Sequence, residues 1–197
     1  MTYFNSRDIA AIAMCAALWG VLNSIFSPIV FSITHLPILC DLIGFTILTV
    51  AAWWIRKFGA ITAIGFIATI INFIFNPQAL TFLGFTAAAF VFDLIIVLVG
   101  FNNFFKRALN TSIIATIIST LSAAIAGFII GSFFMATPAL SLWGGVSGWA
   151  GLHAVGGIVG GAMGATLVAS LNSRKIMGND QMIHEQKKSL SLGGSVK

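Results

Sequence analysis

Apolar residues along this chain come in long runs that break at only a few places. Residues 9–27, 38–55, 58–75, 79–101, 109–135 and 142–171 each hold at most one Asp, Glu, Lys or Arg. A helix needs about 20 apolar residues to cross the hydrocarbon core of a bilayer. The pattern therefore predicts an all-α integral membrane protein, a bundle of six transmembrane helices over residues 1–172. Pro28 and Pro37 flank the first loop, Asn76-Pro77 turns the third helix into the fourth, and Pro138 closes the fifth. The third and fourth runs lie so close together that they must form a hairpin. Residues 173–197 are polar, with Gly and Ser at the end, and read as a cytoplasmic tail: a short amphipathic stub followed by disorder.

Composition agrees. Hydrophobic residues make up 58% of the chain and charged ones 8%, against roughly 25% charged in a soluble domain. The distribution of charge then predicts orientation. All ten Lys and Arg residues fall at the N-terminus, in the second-third and fourth-fifth connections, or in the tail. Cytoplasmic connections carry that excess, so both termini are expected inside, N-in and C-in, in the cell membrane. The net charge of +5 is thus a mark of topology rather than of a nucleic-acid partner. Trp53, Trp54, Phe101 and Phe104 suit the inner interface, and Trp143 and Trp149 the outer one. Arg7 ahead of an apolar run resembles the start of a secretory signal, but no small-residue cleavage site follows, so the run reads as an uncleaved first helix. The lipid bilayer is the first partner implied.

Several kinds of chemistry have no visible machinery. No GxxxxGK[ST], HExxH or GxSxG occurs, so neither nucleotide hydrolysis by that loop nor a membrane hydrolase is indicated, and the chain reads as no enzyme. Cys15 and Cys40 match no metal spacing and read as buried thiols. No cofactor or metal is expected.

The informative residues are polar ones at membrane depth. Asp93, in FVFDLIIV, costs roughly 2.5–3.5 kcal/mol on insertion scales, so it should face the bundle beside a partner. His153 shares a stripe with Trp149, Gly156 and Gly160, and it could meet Asp93 or bond elsewhere. Thr62, Gly65, Thr69, Asn72 and Asn76 recur at three and four, a polar stripe ending in two amides. Amides both donate and accept, which suits a neutral polar ligand. Asn23, His35, Asp41 and Gln78 fall in the same outer third, as do Trp143 and Trp149, whose faces could stack on a ring. With His153 these form a candidate extracellular-side substrate pocket.

Small residues make a second pattern. Ala13, Ala17 and Gly20 are spaced by four and three in the first helix; Gly156, Gly160 and Gly164 follow suit in the sixth. Such spacing lets helices approach closely, within the bundle or against another protein.

A first helix of the form RDIAxxAMxAALxxxxN, in a chain of this length with six helices and both ends inside, resembles the substrate-binding (S) components of energy-coupling-factor (ECF) vitamin transporters. The stretch IRKFGAITAIGFIATIINFIFNPQALTFLGFTAAAFVFDL looks like their hydroxymethylpyrimidine/thiamine branch. The Met-His metal motif of the nickel and cobalt branch is missing. The resemblance implies a vitamin-like substrate, and partner ATPase subunits acting through a transmembrane coupling protein. It also implies an AxxxA docking surface, here Ala13 and Ala17. The other reading is a small oligomeric secondary transporter or channel, assembled through the Gly face of the sixth helix. Asp93 and His153 would be its proton or ion relay.

Overall fold

The structure is a computed structural model that describes residues 3–105, 107–174 and 176. The expected tail beyond residue 176, with its amphipathic stub, lies outside the described residues.

The first helix, α1, runs Ser6–Thr34. Asn5 starts it: its side chain accepts from the Asp8 N–H while the Asp8 carboxylate accepts from the Asn5 N–H, both at 2.9 Å. This reciprocal cap satisfies two donors that a helix start leaves free. The expected end near Ser27 is corrected, because the helix continues through Pro28. A proline inside a helix removes one hydrogen bond, here to the Ser24 carbonyl, and apolar surroundings tolerate that loss when neighbouring groups compensate. The helix stops instead at His35, which takes the left-handed conformation (φ 56°) and donates its N–H to the Phe31 carbonyl. Pro37 follows, where proline commonly sits after such an end. The first loop therefore shrinks to residues 35–37.

α2 spans Ile38–Ile55 and ends on Arg56, also left-handed. α3 is Ala60–Phe75 and α4 Phe82–Val99, joined by the expected hairpin turn. A short helix, α5 (Phe101–Phe104), leads to α6 (Ala108–Phe133). Pro138 does not close α6, which has already ended at Phe133. It opens the five-residue α7, Thr137–Ser141, because its missing N–H is unneeded in a first turn. α8 runs Gly145–Ser173.

α1, α2, α4, α6 and α8 are long and apolar enough to cross a membrane. α3 is apolar but has only 16 residues, about 24 Å at 1.5 Å per residue, against a hydrocarbon core of about 30 Å. Large apolar side chains such as Met14, Ile33, Leu98 and Phe133 are turned outward, which suits lipid and not water. The chain is thus an all-helical, multi-pass membrane protein.

The six longer helices close into a ring. α1 lies against α3, α3 against α4, α4 against α6, α6 against α8, α8 against α2, and α2 against α1. Glycine makes the tightest of these contacts possible. A Cβ at Gly160 would come within 2.8 Å of the Asp41 carbonyl on α2, and one at Gly161 within 2.8 Å of the Ala115 carbonyl on α6. Gly156, Gly160 and Gly164 therefore face α2, Gly157 and Gly161 face α6, and all five are buried. A self-association surface built from that face is corrected by this packing. On α1 the small residues divide. Gly20 packs on Ile71, while Ala13 and Ala17 are exposed.

The aromatic belts expected from the sequence are also only partly present. Trp53 and Phe104 are fully buried, and Trp149 faces inward. The interior is filled by Trp19, Phe45, Phe85 and Phe92, with Gly44 leaving room for the Trp19 indole.

Candidate functional site

The ring is not filled to both ends. At the end where α3 turns into α4 it encloses a cavity of about 340 Å³, to which all six longer helices contribute. α1 supplies Asn23, Ser27 and Phe31; α3 supplies Asn72 and Asn76; α8 supplies Trp149 and His153. Phe82 and Phe85 of α4, Cys40 of α2 and Ile130 of α6 complete most of the wall.

His153 is held from two sides. Its Nδ1 lies 3.1 Å and 2.9 Å from the two carboxylate oxygens of Asp41, in the first turn of α2. Both residues are buried. Gly156 admits the carboxylate, since a Cβ there would stand 2.6 Å from that of Asp41, and Gly127 leaves room for the ring. The imidazole meets Phe85 and Trp149 edge-on, with ring centres 5.6 and 5.5 Å apart. Its remaining nitrogen, Nε2, is buried with no partner, in a residue that borders the cavity. Trp149 Nε1 and the Asn72 amide nitrogen are likewise buried and unpartnered. Buried polar atoms without partners are rare in folded proteins; of the nine among the described residues, which include Asp41 Oδ2 and Asp93 Oδ1, three belong to residues of this cavity wall.

Asn23 is anchored by Ser27, whose hydroxyl donates to its carbonyl oxygen at 2.8 Å. Its amide nitrogen is not used in that bond. Pro28 and Ser24 also border the cavity, so the carbonyl that Pro28 cannot bond belongs to a cavity-lining residue.

The polar stripe on α3 splits into two roles. Thr62 reaches Asp93, Gly65 packs on Ala89, and Thr69 bonds Thr86, all on α4. Only Asn72 and Asn76, at its upper end, border the cavity. Of the predicted pocket residues, Asn23, Asn72, Asn76, Trp149 and His153 come together there. Asp41 stands one layer behind, on His153. His35 caps α1 and is exposed, its ring edge-on to Phe31. Gln78 is exposed in the hairpin turn, and Trp143 packs on the outer side of Trp149 with ring centres 6.4 Å apart. These three are not part of the cavity wall.

Asp93 does not meet His153. One of its oxygens accepts from the Gly59 N–H at 2.8 Å, the Thr62 N–H at 3.0 Å and the Thr62 hydroxyl at 2.8 Å. It thereby satisfies the free N–H groups at the start of α3, as a cap supplied from α4. At the same end Lys57 pairs with Asp8 at 2.6 Å, and Arg56 lies over the Phe105 ring.

Sequence reasoning placed Ser24 and Ser27 in the first helix without singling them out, and missed Phe31 because it ended that helix at Ser27. It also missed Phe82 and Phe85, which nothing sets apart among 18 phenylalanines. Asp8 carried a signal, three residues after Asn5, that went unread.

No protein-family model, curated protein or solved structure matches this chain.

Proposed function

We propose that the chain is the membrane-embedded, substrate-binding component of an ECF-type importer for a small vitamin-like molecule, a thiamine precursor or similar. Partner ATPases would energise it through a transmembrane coupling protein. The observation that carries the reading is the cavity: about 340 Å³, aromatic on several sides, with Asn23, Asn72, Asn76, Trp149 and His153 among the residues that line it. A mostly apolar pocket with a few convergent polar groups is what a small-molecule site requires. On this reading all six longer helices span the cell membrane, α3 included, and both termini are cytoplasmic. The basic residues Arg56, Lys57 and Arg107 lie at one end and the cavity opens at the other, toward the outside. Exposed Ala13 and Ala17 give α1 a smooth face for the coupling protein.

The relay reading is less well served. Asp93 is held by α3 and His153 by Asp41, so the two share no contact through which a proton could pass.

The test is to purify the protein and identify co-purified small molecules by mass spectrometry, alongside uptake in cells with and without the coupling and ATPase subunits. The expected result is a bound heteroaromatic molecule and uptake that needs the partners. Gradient-driven transport by this chain alone in liposomes would overturn the reading in favour of a secondary transporter.

A further inference from the structure

A second hollow lies on the outside of the ring. α2 is more buried than α1 or α8, the two helices that flank it, and outside it runs a groove of about 320 Å³. Cys15, Leu18 and Leu22 of α1 and Leu167 of α8 wall this groove, with Thr46 and Val50 of α2 along its floor. Thr46 brings a hydroxyl, but it already donates to the Gly160 carbonyl at 3.1 Å. Apart from the weakly bonding Cys15 thiol, the side chains offer nothing to a polar ligand. Only an apolar occupant suits it. The groove is separate from the face that carries Ala13 and Ala17, which lie three and seven residues before Gly20 and so on its side of α1, toward α3.

Size and charge then select among apolar occupants. From Cys15 to Leu22 the groove follows α1 for about 10 Å at 1.5 Å per residue, which leaves a cross-section of about 30 Å². A helix with its side chains is about 10 Å across, roughly 80 Å² in section, and does not fit. A single extended hydrocarbon chain does. Toward the basic end of the bundle both walls lead to an arginine. Arg7 stands two steps of four before Cys15 on α1, and Arg174 seven residues after Leu167 on α8, so each continues its wall. Both are exposed, and neither pairs with a carboxylate among the described residues. The carboxylates at this end, Asp8 and Asp93, are buried and engaged by Lys57 and the start of α3. Trp54, four residues beyond Val50 and one before the end of α2, sits where membrane proteins place interfacial indoles. An apolar groove whose two walls end in guanidiniums is complementary to an acyl chain that ends in a phosphate.

We propose that this groove binds one phospholipid with an anionic headgroup: an acyl chain lies over α2 between α1 and α8, and Arg7 and Arg174 hold the headgroup phosphate at the membrane surface. Arg56, Lys57 and Arg107 add positive charge at the same end. That charge favours an anionic headgroup over a zwitterionic one, whose ammonium group it repels. The proposal requires that the chain spans a membrane and nothing about what the cavity at the opposite end holds. It therefore stands or falls apart from the importer reading.

The test uses the full chain in nanodiscs of phosphatidylcholine. Each preparation carries a trace of one photoreactive lipid, phosphatidylglycerol or phosphatidylcholine, with a diazirine midway along an acyl chain. After illumination, labelled peptides are located by mass spectrometry. The phosphatidylglycerol probe should label residues 15–22 and 42–50 well above the α6 face around Ile113 and Ile117, which is comparably exposed. The phosphatidylcholine probe should label the groove more weakly. Arg7→Gln and Arg174→Gln should each lower the phosphatidylglycerol signal by about fivefold, the contribution of one basic residue near an anionic lipid surface. Arg107→Gln, at the same end but on α6, should leave it unchanged. Val50→Phe fills the groove from its floor and should remove the label from α1, with thermal unfolding as the folding check. Equal labelling by the two probes overturns the proposal, as does a signal that both Arg7→Gln and Arg174→Gln leave intact. Labelling spread evenly over α1, α2 and α6 would mean annular lipid only and overturns it too. So does a groove that takes no label while a co-purified protein cross-links at Cys15, because the occupant is then a protein.

Discussion

The two ends of the ring place their polar groups against different things. At the basic end, Asp8 takes Lys57 and the Asn5 N–H, while Asp93 takes three donors from the start of α3. Those groups join one helix to the next. At the cavity end, Asn72, Trp149 and His153 are also buried and each keeps an atom without a partner; Asp93 Oδ1 and Trp53 Nε1 at the basic end lack partners too, but only the first three belong to residues that border the cavity. A buried polar group costs free energy unless it is bonded, and under the importer reading a ligand in the cavity supplies that bond. The contrast is between polar residues whose bonds join helices and polar residues that border the cavity. Depth and residue type alone do not separate them.

The sharpest way to break that contrast is at Asp93. Asp93→Leu strands two backbone N–H groups and a hydroxyl, each worth about 1–3 kcal/mol when buried without a partner. Thermal unfolding in detergent should show a larger loss than any single substitution in the cavity wall produces. Asp93→Asn keeps an oxygen acceptor and should lose much less. If Asp93 were instead half of a proton relay, Asp93→Asn would abolish transport at unchanged stability, and the structural role of this end would fall.

At the cavity end the same kind of deletion should do the reverse. Asn72→Leu or Asn76→Leu removes no internal support on which another residue depends, so melting temperature should hold. Ligand affinity should fall several-fold to roughly tenfold, since one hydrogen bond to a neutral group contributes about 0.5–1.5 kcal/mol. Unchanged affinity in both variants, measured with whatever molecule co-purifies, would move the site away from α3.

The sequence distinguished these two ends only in part, and the reasons are physical. Helix existence was legible because spans of apolar residues between Pro, Gly and basic clusters leave few alternatives. Helix ends were less so: Pro28 read as a stop, since its ring forfeits a hydrogen bond, but an apolar helix with packed neighbours absorbs that loss. That single misreading hid Phe31 and drew His35 into the pocket. The stripe on α3 was visible as a periodicity, yet periodicity cannot say that Thr62 and Thr69 meet α4 while Asn72 opens inward. Nor could spacing pair Asp41 with His153, 112 residues apart. Only the approach of α8 to α2, made close by Gly156 and Gly160, brings them together.

The smallest effect on the isolated protein is expected on the outer face of α1, where neither end's logic applies. Ala13 and Ala17 touch no neighbouring helix closely enough to be covered, whereas Ala16, between them in sequence, is fully buried. Replacing Ala13 or Ala17 with Trp therefore adds a large apolar ring to a surface that lipid already covers. Melting temperature and ligand affinity should stay within error of the native protein. Ala16→Trp is the matched control, because it forces a ring into the α1 packing, where overfilling costs about 1–3 kcal/mol or more. Under the importer reading, the outer-face variants should still fail in one respect. Close approach of two helices in a membrane depends on small residues along the contact, so a Trp at position 13 or 17 holds the coupling protein's helix away. Co-purification with that partner and uptake in cells should both drop, with the isolated protein unaltered. An Ala17→Trp protein that unfolds by itself would mean the face is buried by its own bundle. One that folds, binds and transports normally would remove α1 as the docking face and leave the cavity as the only part of the reading still supported.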